Sequence, residues 1–212
     1  MIGIYDYTVI LTYLSVASTI TGLWLAFNGR PFWAILCLMF CGFCDGFDGK
    51  IARTKKRTQK AINFGIQIDS LADMMAYGIL PVAIGFGTGI NQWYYLPIGI
   101  IFTLGALIRL AHFNVNEEEI AKTKAERSKT FIGMPTTSVA LILPIIFALK
   151  NWVGIYFPLL YTTSLLIIAI LFVIRLRFVD KPDTKKLIQW ILIGILELVI
   201  LIIVFRLWQA TR

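Results

Sequence analysis

Residues 152–174 read WVGIYFPLLYTTSLLIIAILFVI and contain no charged residue. About 20 apolar residues in a helix are enough to cross the hydrocarbon core of a bilayer, so this stretch predicts a membrane-spanning helix. Six more apolar stretches are found along the chain, and only residues 136–148 are short for a span. The seven stretches cover residues 8–27, 31–52, 63–86, 93–113, 136–148, 152–174 and 187–207. They predict an all-α, polytopic transmembrane helical bundle.

The composition favours one integral membrane domain over residues 1–212. Hydrophobic residues make up 58% of the chain and charged residues 15%, against about 25% charged residues in soluble domains. Seven spans leave room only for short loops, so we expect no second domain. The net charge of +8 would indicate nucleic acid in a soluble protein. In a membrane protein we interpret it as a topology signal and as attraction to anionic lipid, with no nucleic-acid partner.

The basic residues are concentrated in alternate loops. Six lie within 50–60, five within 109–129 and five within 175–186, out of 20 in the chain. Because cytoplasmic loops carry an excess of Lys and Arg, these three loops are predicted to be cytoplasmic, and those near residues 90 and 150 external. The longest connection, residues 114–130, is predicted to be a solvated helix because it mixes glutamates with lysines. We therefore expect an integral protein of the cell membrane.

Two pairs of aspartates interrupt neighbouring apolar stretches. Asp45 and Asp48 are three residues apart, and Asp69 and Asp73 are four apart, so each pair occupies one face of its helix. A short basic loop joins the two spans, which places the pairs opposite each other near the cytoplasmic end. Carboxylates inside a bilayer are costly and usually face a cavity or pathway. Their mutual repulsion would be relieved by a hard divalent cation.

Small residues and one arginine flank these acids. Gly49 and Ala52 follow the first pair, and Gly65 precedes Asp69 by four residues. Small side chains allow either close helix packing or close approach of a ligand to the backbone. Arg53 is either a residue whose charge reaches the membrane boundary or a contact for a phosphate group.

Together, residues 45–53 (DGFDGKIAR) and 65–73 (GIQIDSLAD) resemble the signature of the CDP-alcohol phosphotransferases. That signature is Asp-x-x-Asp-Gly-x-x-Ala-Arg, a short spacer and Gly-x-x-x-Asp-x-x-x-Asp, and all eight of its positions are present in order. The resemblance covers residues 8–176 and implies a six-helix core there. The stretch 187–207 is then an additional C-terminal span.

The resemblance implies that an alcohol attacks the β-phosphorus of a CDP-activated lipid and releases CMP. It also implies two divalent ions, Mg²⁺ or Mn²⁺, a homodimer, and an active site that faces the cytoplasm. In it Asp45, Asp48, Asp69 and Asp73 are the metal ligands, and Asp73 is also the general base. The implied CDP-binding residues are Asp48, Gly49, Ala52, Arg53 and Gly65. Hydroxyl groups of the first span, Thr12, Ser15, Ser18 and Thr19 among them, either help to hold the nucleotide or bond their own backbone.

Residues 69–81, DSLADMMAYGILP, are most similar to the family members that use L-serine as the acceptor. A serine carboxylate needs a cation, and Arg109 is the candidate, with Asn114 as a second serine-binding residue. His112 stands where the usual form of this segment has arginine, and we expect a polar boundary residue there. Other acceptors, glycerol 3-phosphate or an inositol phosphate, remain open. A divalent-cation channel or carrier, and an intramembrane prenyltransferase, are alternatives from other classes.

Overall fold

Helices form nearly all of the chain that the structure describes. The structure is a computed structural model of residues 9–52, 58–123, 130–132, 134–174, 177–180 and 184–210, without the side chains of 48–52, 117–123, 130–132, 177–180, 184–188, 190–191 and 208–210. The helices are α1 (Ile10–Phe27), α2 (Pro31–Ala52), α3 (Gln59–Asp73), α4 (Leu80–Gly87), α5 (Tyr95–Thr123), α6 (Val139–Ala148), α7 (Lys150–Val153), α8 (Phe157–Val173) and α9 (Thr184–Ala210).

These helices confirm the predicted membrane bundle. Within the described residues, four helical stretches are long and apolar enough to span a bilayer: Ile10–Phe27, Gln59–Gly87, Tyr95–Asn116 and Lys150–Val173. Pro31–Phe47 and Thr136–Ala148 are shorter apolar helices, and α9 covers the last predicted span. Large apolar side chains such as Trp24, Ile108 and Ile167 are more than half exposed, as side chains facing lipid should be. The chain is a multi-pass membrane protein.

Small residues bring the helices of this bundle close together. A Cβ added to Gly42 of α2 would lie 2.7 Å from the Cβ of Ala140 on α6. A Cβ added to Gly105 of α5 would lie 3.1 Å from the carbonyl oxygen of Ala169 on α8. In a bilayer, where helices gain no hydrophobic energy by associating, such close backbone approach supplies the packing energy.

A π-helical turn, Met74–Ile79, joins α3 directly to α4. The backbone N–H of Leu80 bonds to the carbonyl of Met75, five residues earlier. The next residue, Pro81, lacks an N–H and cannot continue the regular pattern, which explains why the helix widens here. Side chains of other helices bond carbonyls in this region: Thr103 donates to Gly78 at 2.9 Å and Tyr161 to Pro81 at 2.7 Å. These two backbone carbonyls at the wide turn therefore have hydrogen-bond partners within the membrane.

Two loops at one end of the bundle form a small antiparallel ribbon. Strand β1 (Thr130–Ile132) follows α5, and strand β2 (Arg177–Asp180) follows α8. Their pairing places the second and third basic loops at the same end, as the charge pattern predicts. The predicted helix in residues 114–130 is confirmed as far as Thr123, where α5 ends. The ribbon itself was not predicted, because it joins segments that are distant in sequence.

Candidate active site

Three of the four predicted aspartates come together between α2 and α3. One carboxylate oxygen from each of Asp45, Asp69 and Asp73 lies within 4.8 Å of the other two, and all three residues are half-buried. The predicted opposition of the two helix faces is therefore present in the structure. Asp48 lies in the last turns of α2, and its side chain is outside the described part of the chain.

Helix α1 completes the pocket around these acids. The pocket is lined by Leu11, Thr12 and Ser15 of α1, together with Asp45, Asp69, Ala72 and Asp73. Thr12 and Ser15 are buried, and a nucleotide contact from this hydroxyl-rich span stays a prediction. Thr12 and Ser15 face the pocket, whereas Ser18 donates to the carbonyl of Cys37 at 3.0 Å and Thr19 to that of Ser15 at 2.8 Å.

The chemistry of this donor set fits a divalent cation. Three half-buried carboxylates so close together repel one another, and the repulsion is strong because little water screens it. The three residues offer only oxygen ligands, which Mg²⁺ and Mn²⁺ prefer over the nitrogen and sulfur ligands typical of zinc sites. The residues that the structure brings together could therefore hold a metal ion of the predicted kind.

Hydrogen bonds between α3 and α5 hold in place the helix that carries Asp69 and Asp73. Ser70, next to Asp69, donates to the side-chain oxygen of Asn114 at 2.6 Å. The side-chain nitrogen of Asn114 donates to Gln67 at 3.4 Å. At the start of α3, Thr58 accepts a hydrogen bond from the backbone N–H of Ala61, which caps the helix. The cap fixes where α3 begins, and the two bonds hold the part of α3 that carries Asp69 against α5.

The candidate serine-binding residues lie on α5. Arg109 is 8% exposed, and its Nε donates to the carbonyl of Met134 at 3.1 Å. Neither Arg109 nor Asn114 is among the described residues that line the acidic pocket. His112 is exposed and contacts Asn116 at 3.2 Å, in agreement with the expected polar boundary residue. The serine-binding assignments stay predictions.

The candidate CDP-binding residues are mostly outside the described part of the site. Gly65 is half-buried on α3, one turn before Asp69. Gly49 and Ala52 lie in the last turn of α2 without described side chains, and Arg53 lies outside the described residues. Their roles also stay predictions.

Sequence reasoning missed one polar group near the acids. The hydroxyl of Tyr77 is fully buried and has no hydrogen-bond partner among the described residues. It lies within electrostatic reach of Asp45, Asp73 and Asp69. The signal that could have found it is spacing, since Gly65, Asp69, Asp73 and Tyr77 follow one another at intervals of four residues.

Several characterised proteins are similar to this chain. A CDP-diacylglycerol–serine O-phosphatidyltransferase of Saccharomyces cerevisiae is 32% identical over 152 residues, covering 69% of this chain and 54% of the yeast protein. One from Helicobacter pylori is 32% identical over 167 residues, covering 76% and 65%. One from Bacillus subtilis is 27% identical over 158 residues, covering 72% and 76%. The chain thus spans between half and two thirds of the length of the yeast and Helicobacter relatives.

A family model matches residues 8–211. The matched region therefore includes α9, whereas the six-helix core predicted from the sequence ends at residue 176. The family's description is CDP-alcohol phosphatidyltransferase. The match includes the acidic pocket and nearly all of the chain, and it confirms the resemblance found in residues 45–73. The chain belongs to the CDP-alcohol phosphatidyltransferase family.

Proposed function

We propose that this chain transfers the phosphatidyl group, or its ether-lipid equivalent, from a CDP-activated lipid to the hydroxyl of L-serine and releases CMP. The observation that carries the proposal is the convergence of Asp45, Asp69 and Asp73 in one pocket, in the order and spacing of the family signature. The choice of serine rests on the names of the similar proteins and on residues 69–81.

In the proposed reaction the serine oxygen forms a bond to the β-phosphorus of the CDP-lipid. The bond from that phosphorus to the oxygen of the leaving phosphate breaks, and CMP departs with the bonding electrons. Asp73 accepts the proton that the serine hydroxyl loses, since a carboxylate in contact with the nucleophile can act as general base. Its place on the pocket wall, one turn from Asp69, allows it to reach a substrate bound there.

The residues that would hold divalent cations are Asp45, Asp69 and Asp73, and we include Asp48 from its place in the signature. We propose Mg²⁺ or Mn²⁺, with two ions per site. When bound, such ions neutralise the diphosphate and stabilise the charge on the departing phosphate. The aspartates set the place in the pocket where the ions, and with them the diphosphate, would be held.

Binding of the substrates is assigned to the flanking residues. Gly49, Ala52 and Gly65 allow the CDP moiety to approach the helix backbones, and Arg53 pairs with a phosphate. The buried hydroxyls of Thr12 and Ser15 supply hydrogen bonds from the α1 side of the pocket. For serine, we propose that Arg109 binds the carboxylate, with Asn114 as a second contact.

We further propose that the pocket opens to the cytoplasm and that the protein is a homodimer. The orientation rests on the basic residues, because six of them lie within 50–60, in the loop between α2 and α3 and in the adjoining helix ends. The dimer rests on the family resemblance alone.

An acceptor screen tests the proposed reaction. The purified full-length chain is incubated with CDP-lipid and Mg²⁺ or Mn²⁺, and CMP release is followed with L-serine, glycerol 3-phosphate, inositol or inositol phosphate. We expect release with L-serine and none after EDTA treatment. The matched control is Asp69→Asn, which keeps the size of the side chain but loses its charge.

Each outcome of the screen addresses one part of the proposal. Metal-dependent CMP release with another acceptor, but not with serine, would overturn the acceptor and retain the family chemistry. Serine-dependent release that continues in excess EDTA would overturn the metal requirement. If no acceptor gives CMP under any condition, the transfer reaction itself is wrong.

A further inference from the structure

Tyr77 is buried one helical turn beyond Asp73, a residue of the pocket wall, and is not itself among the described lining residues. Tyr77 follows Asp73 by four residues, lies within the π-helical turn, and is 0% exposed. Its hydroxyl reaches toward α2, where a Cβ added to Gly42 would lie 4.0 Å from it. Gly42 precedes Asp45 by three residues, so the hydroxyl lies beside the turn of α2 that comes just before Asp45.

The bonding of this hydroxyl differs from that of two comparable tyrosines. Tyr95 donates to the carbonyl of Val82 at 2.8 Å, and Tyr161 donates to that of Pro81 at 2.7 Å. Tyr77 is equally buried, yet within the described part of the chain its hydroxyl has no partner. Buried phenol groups usually find a partner, so an exception calls for a physical reason.

The surroundings of Tyr77 indicate what that reason is. The titratable side chains close enough to affect its hydroxyl electrostatically are Asp45, which has the largest effect, and then Asp73, Cys41 and Asp69. A phenol O–H readily donates a hydrogen bond to a carboxylate. The π-helical turn is the local feature that places this residue, and such turns are frequent at functional sites because they redirect side chains.

We propose that Tyr77 is a positioning residue of the cation site. Its hydroxyl donates a hydrogen bond to Asp45 when that carboxylate turns toward a bound divalent cation, and the bond orients the carboxylate for metal binding. The inference rests on the cation site of the proposed function. Partners of this kind, which contact a metal ligand rather than the metal, typically contribute about 10- to 100-fold to metal affinity.

The test compares Tyr77→Phe with Tyr161→Phe in the full-length, detergent-solubilised protein. Mn²⁺ is the probe, without CDP-lipid or serine, and its dissociation constant is measured by titration calorimetry. Thermal unfolding is measured separately in EDTA. For Tyr77→Phe we expect Mn²⁺ affinity to fall by about 10-fold or more while the unfolding temperature in EDTA stays at the wild-type value. Tyr161→Phe, which loses an existing hydrogen bond, should show the reverse pattern.

Two results would overturn the role of Tyr77 alone. One is a Tyr77→Phe protein whose Mn²⁺ affinity stays within about twofold of wild type, well below the expected effect. The other is a Tyr77→Phe protein that is destabilised in EDTA as Tyr161→Phe is, since that would mean that the hydroxyl serves the fold. A wild-type protein that binds no Mn²⁺ would overturn the cation site itself, and the role of Tyr77 with it.

Discussion

Asp73 is the last residue of α3, and its carboxylate meets those of Asp45 and Asp69 in the pocket. Asp73→Asn keeps the shape of the side chain but cannot accept a proton. We expect CMP release to fall by about 10²- to 10⁴-fold, the usual contribution of a general base. CDP-lipid binding should fall less, because its proposed contacts lie on Gly49, Ala52 and Gly65. Turnover and CDP-lipid affinity are measured on the same preparation. If turnover falls much more than affinity, Asp73 is a general base, and if both fall together, it is only a metal ligand. A variant that turns over at close to the wild-type rate would contradict the assignment.

The same pocket predicts that Mn²⁺ binding depends on Asp45 and Asp69. Asp45→Asn and Asp69→Asn each remove one of the charged ligands, so we expect both variants to lose Mn²⁺ binding and CMP release. Glu197 provides a matched control, because it is also a half-buried carboxylate of the membrane region but lies on α9, outside the pocket. Glu197→Gln should keep wild-type Mn²⁺ affinity in calorimetry. Equal loss in all three variants would mean that the effect is not specific to the pocket.

At the level of elements, the close contact between α2 and α6 contributes to the stability of the bundle. Gly42→Ala would place a methyl group 2.7 Å from the Cβ of Ala140, too close for two carbons. Overpacking of this kind costs about 1–3 kcal/mol, so we expect the variant to unfold at lower temperature. The second substitution Ala140→Gly should restore the stability of Gly42→Ala, because it removes the opposing carbon.

The control for this pair is Gly194→Ala, whose added Cβ would lie 3.7 Å from Leu141, an ordinary contact distance. It should leave the unfolding temperature of the solubilised protein unchanged. If Gly42→Ala is as stable as wild type, or if Ala140→Gly does not rescue it, the described contact between α2 and α6 is wrong.

The elements also show how far the sequence alone could reach. The apolar stretches predicted the helices, because the length and composition of a membrane span are set by the bilayer rather than by the neighbouring helices. A proline within an apolar stretch, such as Pro81, is as compatible with a kink as with a π-helical turn, so the turn could not be predicted. The pairing of β1 with β2 depends on two loops that meet only after the helices have packed.

The site was predictable to the extent that it follows helical spacing. The intervals of four and three residues show that Asp69 and Asp73 share one helix face and that Asp45 and Asp48 share another. The short basic loop between the two helices implied that these faces oppose each other. The part played by α1 was not fixed by spacing, since Thr12 and Ser18 look equivalent in sequence. Only the packing of α1 against α2 shows that Thr12 faces the pocket while Ser18 bonds to the backbone of Cys37.

At the scale of the whole molecule, the polar features gather at one end of the bundle. The pocket lies between the C-terminal half of α2, the C-terminal end of α3 and the first turns of α1. Asn114, near the C-terminal end of α5, bonds to Ser70 of α3, and β1 follows α5 and pairs with β2. We therefore expect the pocket to open on the side of the ribbon and the basic loops, and a single orientation then determines which compartment supplies the substrates.

Cysteine labelling in intact cells tests that orientation. Single cysteines replace Lys56, Lys122 or Asp183 on the side of the pocket, and Asn91 or Asn151 on the other, in a chain whose native cysteines are changed to serine. Since basic loops are retained in the cytoplasm, we expect a membrane-impermeant maleimide to label only positions 91 and 151. Positions 56, 122 and 183 should react only after the cells are permeabilised, and CMP release confirms that each variant is folded. Labelling of position 56 from outside would reverse the topology, and the pocket would then draw its CDP-lipid and serine from the external side.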